Sequence, residues 1–127
     1  MERLKNFIIK HQPRVVAISA DAREATNVME DVSRVIQELE QEQSMAQIYV
    51  ELVDAEVARI YQDSPRAQNE FPEYPLLLRH AISVARRLQD PLEEITNLCE
   101  SEEELLCLRF HPLQVSLFVI YVFCVQA

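Results

Sequence analysis

Glycine is absent from all 127 residues of the sequence. Glycine-rich phosphate loops and the dinucleotide fingerprint need backbone where a Cβ would clash, so nucleotide-dependent enzymes of those two kinds are excluded. The glycine-flanked serine elbow of the hydrolases is excluded with them, and nucleophilic hydrolysis has no support. Tryptophan is also missing, and cysteine is scarce. Cys99, Cys107 and Cys124 are odd in number and too widely spaced for a zinc knuckle. Such usage predicts buried free thiols in a reducing compartment, the cytosol or nucleus. Met1-Glu2-Arg3-Leu4-Lys5 runs straight into an amphipathic pattern rather than an apolar leader, so secretion is not expected.

Positive charge is the next shortage. Twelve basic side chains face twenty-one acidic ones, for a net charge of −9 and a pI near 4.8. Non-specific nucleic-acid binding needs clustered cations to displace phosphate counterions, and this balance favours basic partners instead. The three histidines, His11, His80 and His111, are widely spaced, and no two fall at i, i+4 on a helix, so no metal-ligand pattern emerges. What remains is a globular composition, 49% apolar and 26% charged, in a chain long enough for at most one domain.

Leu4, Phe7, Ile8 and His11 mark a first helix, which Pro13 ends. Arg14 to Ser19 is a short β-branched run that reads as a strand buried on both faces. Val28, Val32, Val35, Ile36 and Leu39 form the clearest helical stripe, with Asp21 or Asn27 as its cap. Gln47 to Val53 reads as a second strand on which Tyr49, Glu51 and Val53 share a face. Pro65, Pro72 and Pro75 then predict a loop. Leu76 to Gln89 returns to helix, with Leu78, Ile82, Ala85 and Leu88 as the expected core stripe, and Pro91 opens a further helix through Leu98. Leu105 to Phe110 is strand-like. Strand and helix alternating with short links predict an α/β unit around a partly parallel sheet, undersized for want of a neighbour. From Val115 to Val125 the chain is almost wholly apolar, too short for a bilayer span of about 20 residues, and reads as an aggregation-prone end rather than a native strand.

Two constellations could carry chemistry. Asp21, Glu51 and Asp54 follow or lie within the two strands and would converge at one sheet edge, as carboxylates do around paired metal ions. Arg79, Arg86 and Arg87 fall within a few turns of one helix. They could grip phosphate or an acidic partner surface, or else pair with Asp90, Glu93 and Glu94 and cover apolar surface with their stems.

Ala81-Ile82-Ser83-Val84-Ala85-Arg86-Arg87-Leu88-Gln89-Asp90-Pro91-Leu92, followed by Glu94, closely resembles a stretch of the Tex family of transcription factors. It looks like the resolvase-like (RuvC/YqgF-type, RNase H-like) domain shared by bacterial Tex and the eukaryotic suppressor-of-Ty elongation factors. Tyr61, Ser64, Ala67 and Glu70-Phe71-Pro72 match the same pattern upstream. Glu51 to Asp54 and Leu108 to Gln114 are more similar to the eukaryotic form. The resemblance runs from about Leu4 to Gln114. It implies an incomplete RNase H-like α/β fold over 1–114 that lacks the family's N-terminal three-stranded meander, with 115–127 as an atypical apolar tail.

The resemblance further implies a nuclear elongation factor and histone chaperone. Its partners would be the RNA polymerase II elongation complex and histones, with weak nucleic-acid contact through the parent protein and none with a membrane. In the active resolvases the first catalytic aspartate sits on the meander. Their next acidic motif corresponds to Asp54-Ala55-Glu56-Val57-Ala58 here, and their last acid falls near Arg79-His80. Those positions imply a degenerate nuclease with no catalytic residue, no cofactor and no metal ligand, Arg79, Arg86 and Arg87 being the candidate contacts. The competing expectation is a Mg²⁺-dependent junction nuclease using Glu51 and Asp54.

Overall fold

The computed structural model describes residues 2–43, 45–100, 104, 107 and 108. Helix α1 spans Glu2–His11, strand β1 Val15–Ser19, helix α2 Ala25–Gln43 and strand β2 Tyr49–Val53. Four helices follow: α3 Glu56–Asp63, α4 Pro65–Glu70, α5 Leu76–Gln89 and α6 Pro91–Thr96, the last running into a 3-10 turn at Asn97–Glu100. The two strands pair in parallel, from Val15 against Tyr49 to Ser19 against Val53. A parallel pair cannot be joined by a hairpin, and α2 supplies the crossover.

The sheet lies between two helical layers. On one face Val16, Ile18 and Val50 pack with Ile8 of α1 and Val32, Val35, Ile36 and Leu39 of α2. Lys5 Nζ reaches Glu38 Oε2 at 2.6 Å and ties the two helices together at the surface. On the other face Ala17 and Val53 meet Ala55 and Ala58 of the α3 region and Val84 and Leu88 of α5. A smaller cluster of Val57, Leu98 and Leu108 closes the far side of α3.

Several sequence expectations needed correction. β1 is half-buried rather than enclosed, with Val15 exposed, because the described sheet holds two strands. Neither proposed cap starts α2: it begins at Ala25, whose N–H donates to Ala22 O at 2.9 Å, while Asn27 lies inside the helix. The proline-rich loop contains α4. Ser64 Oγ accepts the Ala67 N–H at 3.1 Å, and Pro65 takes the first helical position, where its missing N–H costs nothing. Cys99 and Cys107 are exposed, not buried. Cys107 sits in a turn and Leu108 outside any strand. The rest of the strand-like run at 105–110, together with His111, the tail 115–127 and Cys124, lies outside the described residues. Among the described residues Gln12 (φ 43°) has left-handed backbone, ending α1 where glycine is the usual occupant.

The inner face of α5 also differs. Its buried residues are Arg79, Ser83 and Val84, whereas Leu78 and Ala85 of the expected stripe are exposed. Helical periodicity located the helix correctly, but α3 claims the side that carries the small serine and the arginine stem.

Candidate functional site

Parallel α/β sheets offer ligands the carboxyl ends of their strands. Of the three carboxylates singled out from sequence, Asp21 and Asp54 lie beyond that end of β1 and β2 and are separately engaged, while Glu51 lies within β2. Asp21 Oδ2 lies 3.3 Å from Arg59 Nε. Asp54 Oδ1 accepts the Glu56 N–H at 3.0 Å and so opens α3. Glu51 is exposed on β2. At the end of β1, Ser19 opens a hydrogen-bonded chain of side chains. Ser19 Oγ is 3.3 Å from His80 Nε2, and His80 Nδ1 is 3.2 Å from Gln62 Oε1. With Nδ1 donating to the Gln62 carbonyl oxygen, the other ring nitrogen accepts from the serine hydroxyl. Among the described residues no group of three or more His, Cys, Asp or Glu side chains could hold a metal ion.

A second concentration of polar groups joins α3, α4, α5 and α6. Glu94 is 1% exposed, and its Oε1 accepts a 2.5 Å hydrogen bond from Ser83 Oγ, itself fully buried. Arg66 Nη2 stands 3.8 Å from the same Oε1, and Arg66 Nε 3.7 Å from Glu70 Oε1. Both nitrogens are buried and make ion-pair contacts without a hydrogen bond. Glu70 Oε2 receives the Tyr61 hydroxyl at 2.7 Å and Arg86 Nη1 at 2.9 Å. The Arg66 and Arg86 guanidinium carbons lie 4.8 and 5.7 Å from the Tyr61 ring centroid, within cation–π range.

Burial and the Glu70 carboxylate together push the Tyr61 hydroxyl up to about 12. Burial pushes Glu70 upward as well, but hydrogen bonds from Tyr61 and Arg86 and the nearby Arg66 charge overcome it and hold the carboxyl below its ordinary value. A cavity of about 680 Å³ opens beside this network, lined by Arg66, Glu70, Arg86, Asp90, Glu93 and Glu94 among others. Four carboxylates against two guanidiniums make it a poor anion site, and the network reads as a weld between helices.

The three candidate arginines do not form one cationic patch. Arg79 is buried, and its Nε and Nη2 donate to the Phe71 and Pro72 carbonyls at 3.0 and 3.2 Å, fixing the turn before α5. Arg86 is held by Glu70, not by the expected Asp90, Glu93 or Glu94. Arg87 Nη1 donates to Pro91 O at 3.2 Å across the α5–α6 junction. Sequence reading missed Arg66 altogether. Its signal was present: a serine before Pro65 marks a helix start, and that helix sets Arg66 and Glu70 at i, i+4.

The family described as "YqgF: Holliday-junction resolvase-like of SPT6" matches residues 1–99. Over 114 residues the chain is 43% identical to the transcription elongation factor SPT6 of Drosophila melanogaster, covering 90% of this chain and 6% of that protein. It is 37% identical over 115 residues to the Suppressor of Ty 6 homolog of Caenorhabditis briggsae, covering 90% of this chain and 8% of the relative. Against the transcription elongation factor SPT6 homolog of Arabidopsis thaliana the figures are 29% over 119 residues, 89% of this chain and 7% of the relative. The chain therefore spans less than a tenth of the length of these relatives. It belongs to the YqgF-type, resolvase-like domain family of SPT6, and its parallel strand pair between helical layers is part of an RNase H-like fold.

Proposed function

We propose that this chain is a non-catalytic scaffold module of a nuclear transcription elongation factor and histone chaperone that acts with RNA polymerase II. The observation that carries the reading is the occupancy of the strand ends. Where a resolvase gathers carboxylates, this chain sets Ser19, His80 and Gln62 in a mutual hydrogen-bonded chain, with Asp21 held by Arg59 and Asp54 by backbone. A Mg²⁺ ion needs several oxygens in near-octahedral array, and with Asp21 and Asp54 each engaged elsewhere the strand ends do not offer them together. The names of the relatives support the role in elongation.

The module's work is mechanical. The buried Ser83–Glu94–Arg66 contacts and the Tyr61–Glu70–Arg86 contacts lock four helices to one another, making a stiff body against which neighbouring domains can be held. Of the three candidate contacts, Arg79 is committed to two carbonyls and Arg86 to Glu70, which leaves Arg87, with one nitrogen on the Pro91 carbonyl, as the group for weak nucleic-acid or partner contact. Incubating the full-length protein with four-way-junction DNA and Mg²⁺ tests the reading. No cleavage is expected, and cleavage abolished by Glu51→Ala would establish the junction nuclease instead.

A further inference from the structure

Helix α5 is apolar on two sides. At about 100° per residue, Tyr74, Leu77, Leu78, Ala81, Ile82, Ala85 and Leu88 share one half of the helical surface and its approach, with Gln89 at the C-terminal end as its polar residue. Arg79, His80, Ser83, Arg86 and Arg87 fall on the opposite half, where Arg79 and Ser83 are buried and the other three are partly buried. The inward side thus carries these polar groups together with the buried Val84, and Leu88 packs into the same core. The outward half carries Leu77 at 77% exposure, Leu78 at 48% and Tyr74 at 46%, with Ala81 and Ala85 also exposed. A helix apolar on its outer side as well as its inner one belongs in the interior of a larger body.

The surface is also prepared. Arg79 holds the turn at Phe71 and Pro72, and Phe71 stacks on Tyr74 with ring centroids 5.3 Å apart, so the approach to α5 is fixed before any partner arrives. Ala81 and Ala85 at i, i+4 set two small, exposed side chains in a row on the half that carries Leu77 and Leu78. Small residues in that arrangement let a second helix approach to about 8–10 Å between axes. No charge lies on this half between Tyr74 and Leu88, so it has nothing to offer phosphates or a basic tail.

We infer that the outward Tyr74–Leu77–Leu78–Ala81–Ala85 face of α5 is the seat of an apolar helix contributed by another part of the same long polypeptide. The relatives supply the length: more than nine-tenths of each lies beyond the region this chain matches. The inference rests on the scaffold reading and gives it a surface.

The test is cysteine accessibility in the full-length polypeptide. Ala81→Cys and Ala85→Cys are compared with Glu30→Cys, on the exposed side of α2, by maleimide labelling and peptide mapping. The two α5 positions are expected to label at least about tenfold more slowly than the α2 position, since a seated helix must open before they react. Equal rates would overturn the inference while leaving the scaffold reading to stand on other faces. Protection lost on dilution would also overturn it, because the occupant would then be a second copy. Junction cleavage, by contrast, sinks the scaffold reading whatever α5 does.

Discussion

Glu94 is the residue whose loss the structure penalises most clearly. It is 1% exposed, takes the hydroxyl of fully buried Ser83 at 2.5 Å and faces the Arg66 guanidinium at 3.8 Å. Glu94→Gln keeps the shape and an acceptor for Ser83 but leaves Arg66 without its buried counter-charge. Breaking a fully buried ion pair costs about 3–5 kcal/mol. Arg66 retains one-fifth of its side-chain exposure, and Glu70 lies 3.7 Å from its Nε. Both reduce the expected cost to about 2–3 kcal/mol. Glu94→Ala adds about 1 kcal/mol more, for a buried hydroxyl stripped of its acceptor. Amide hydrogen exchange across α5 and α6 is the appropriate assay, because it reads local opening without requiring the whole chain to unfold in one step. For Glu94→Gln, protection should fall by a factor on the order of 100. Adding Arg66→Met should recover much of that loss, since the two groups are coupled. A change below about threefold, or strict additivity of the two substitutions, would refute the reasoning.

Other consequences are smaller. Because the Tyr61 hydroxyl is raised to about 12, the unfolded chain loses that proton first, and stability should decline as pH rises from about 10 to 12. Tyr61→Phe should flatten that decline in a pH series of thermal melts. Glu70 is shifted the other way, so its contribution is present at neutral pH and disappears as pH falls through its folded value; Glu70→Gln should weaken the acid dependence below about pH 4. Ser64→Ala removes the α4 cap and should cost about 1 kcal/mol in urea titration. Gln12→Gly relieves a left-handed residue and should stabilise by about 0.5–1 kcal/mol in the same titration.

The parts of the fold legible from sequence were those where one physical signal dominated. The β-branched run at Val15–Ile18 and the stripe through Val32, Val35, Ile36 and Leu39 specify a strand and a helix with little ambiguity, and both formed. Leu78 and Ala85 misled because periodicity reports that a face is apolar but not which of two apolar faces meets the body at hand. Pro65 misled for a different reason. A proline that breaks a helix interior also begins one, and only Ser64 before it distinguishes the two. The network around Arg66 and Glu94 was invisible because its members come from separate helices whose contact depends on the packing of α5 against α3 and α6. The resemblance had marked Tyr61, Ser64, Ala67 and Glu70 as pattern positions. Their reason is now physical: a cap, a buried alanine and a hydrogen-bonded tyrosine–glutamate couple.

Manganese titration of the protein followed by NMR would probe the ends of β1 and β2 most directly, since this paramagnetic stand-in for Mg²⁺ broadens nearby amides. The account predicts only diffuse, weak broadening, with nothing selective at Ser19, Asp21, Glu51 or Asp54. Saturable broadening confined to those four residues would contradict it.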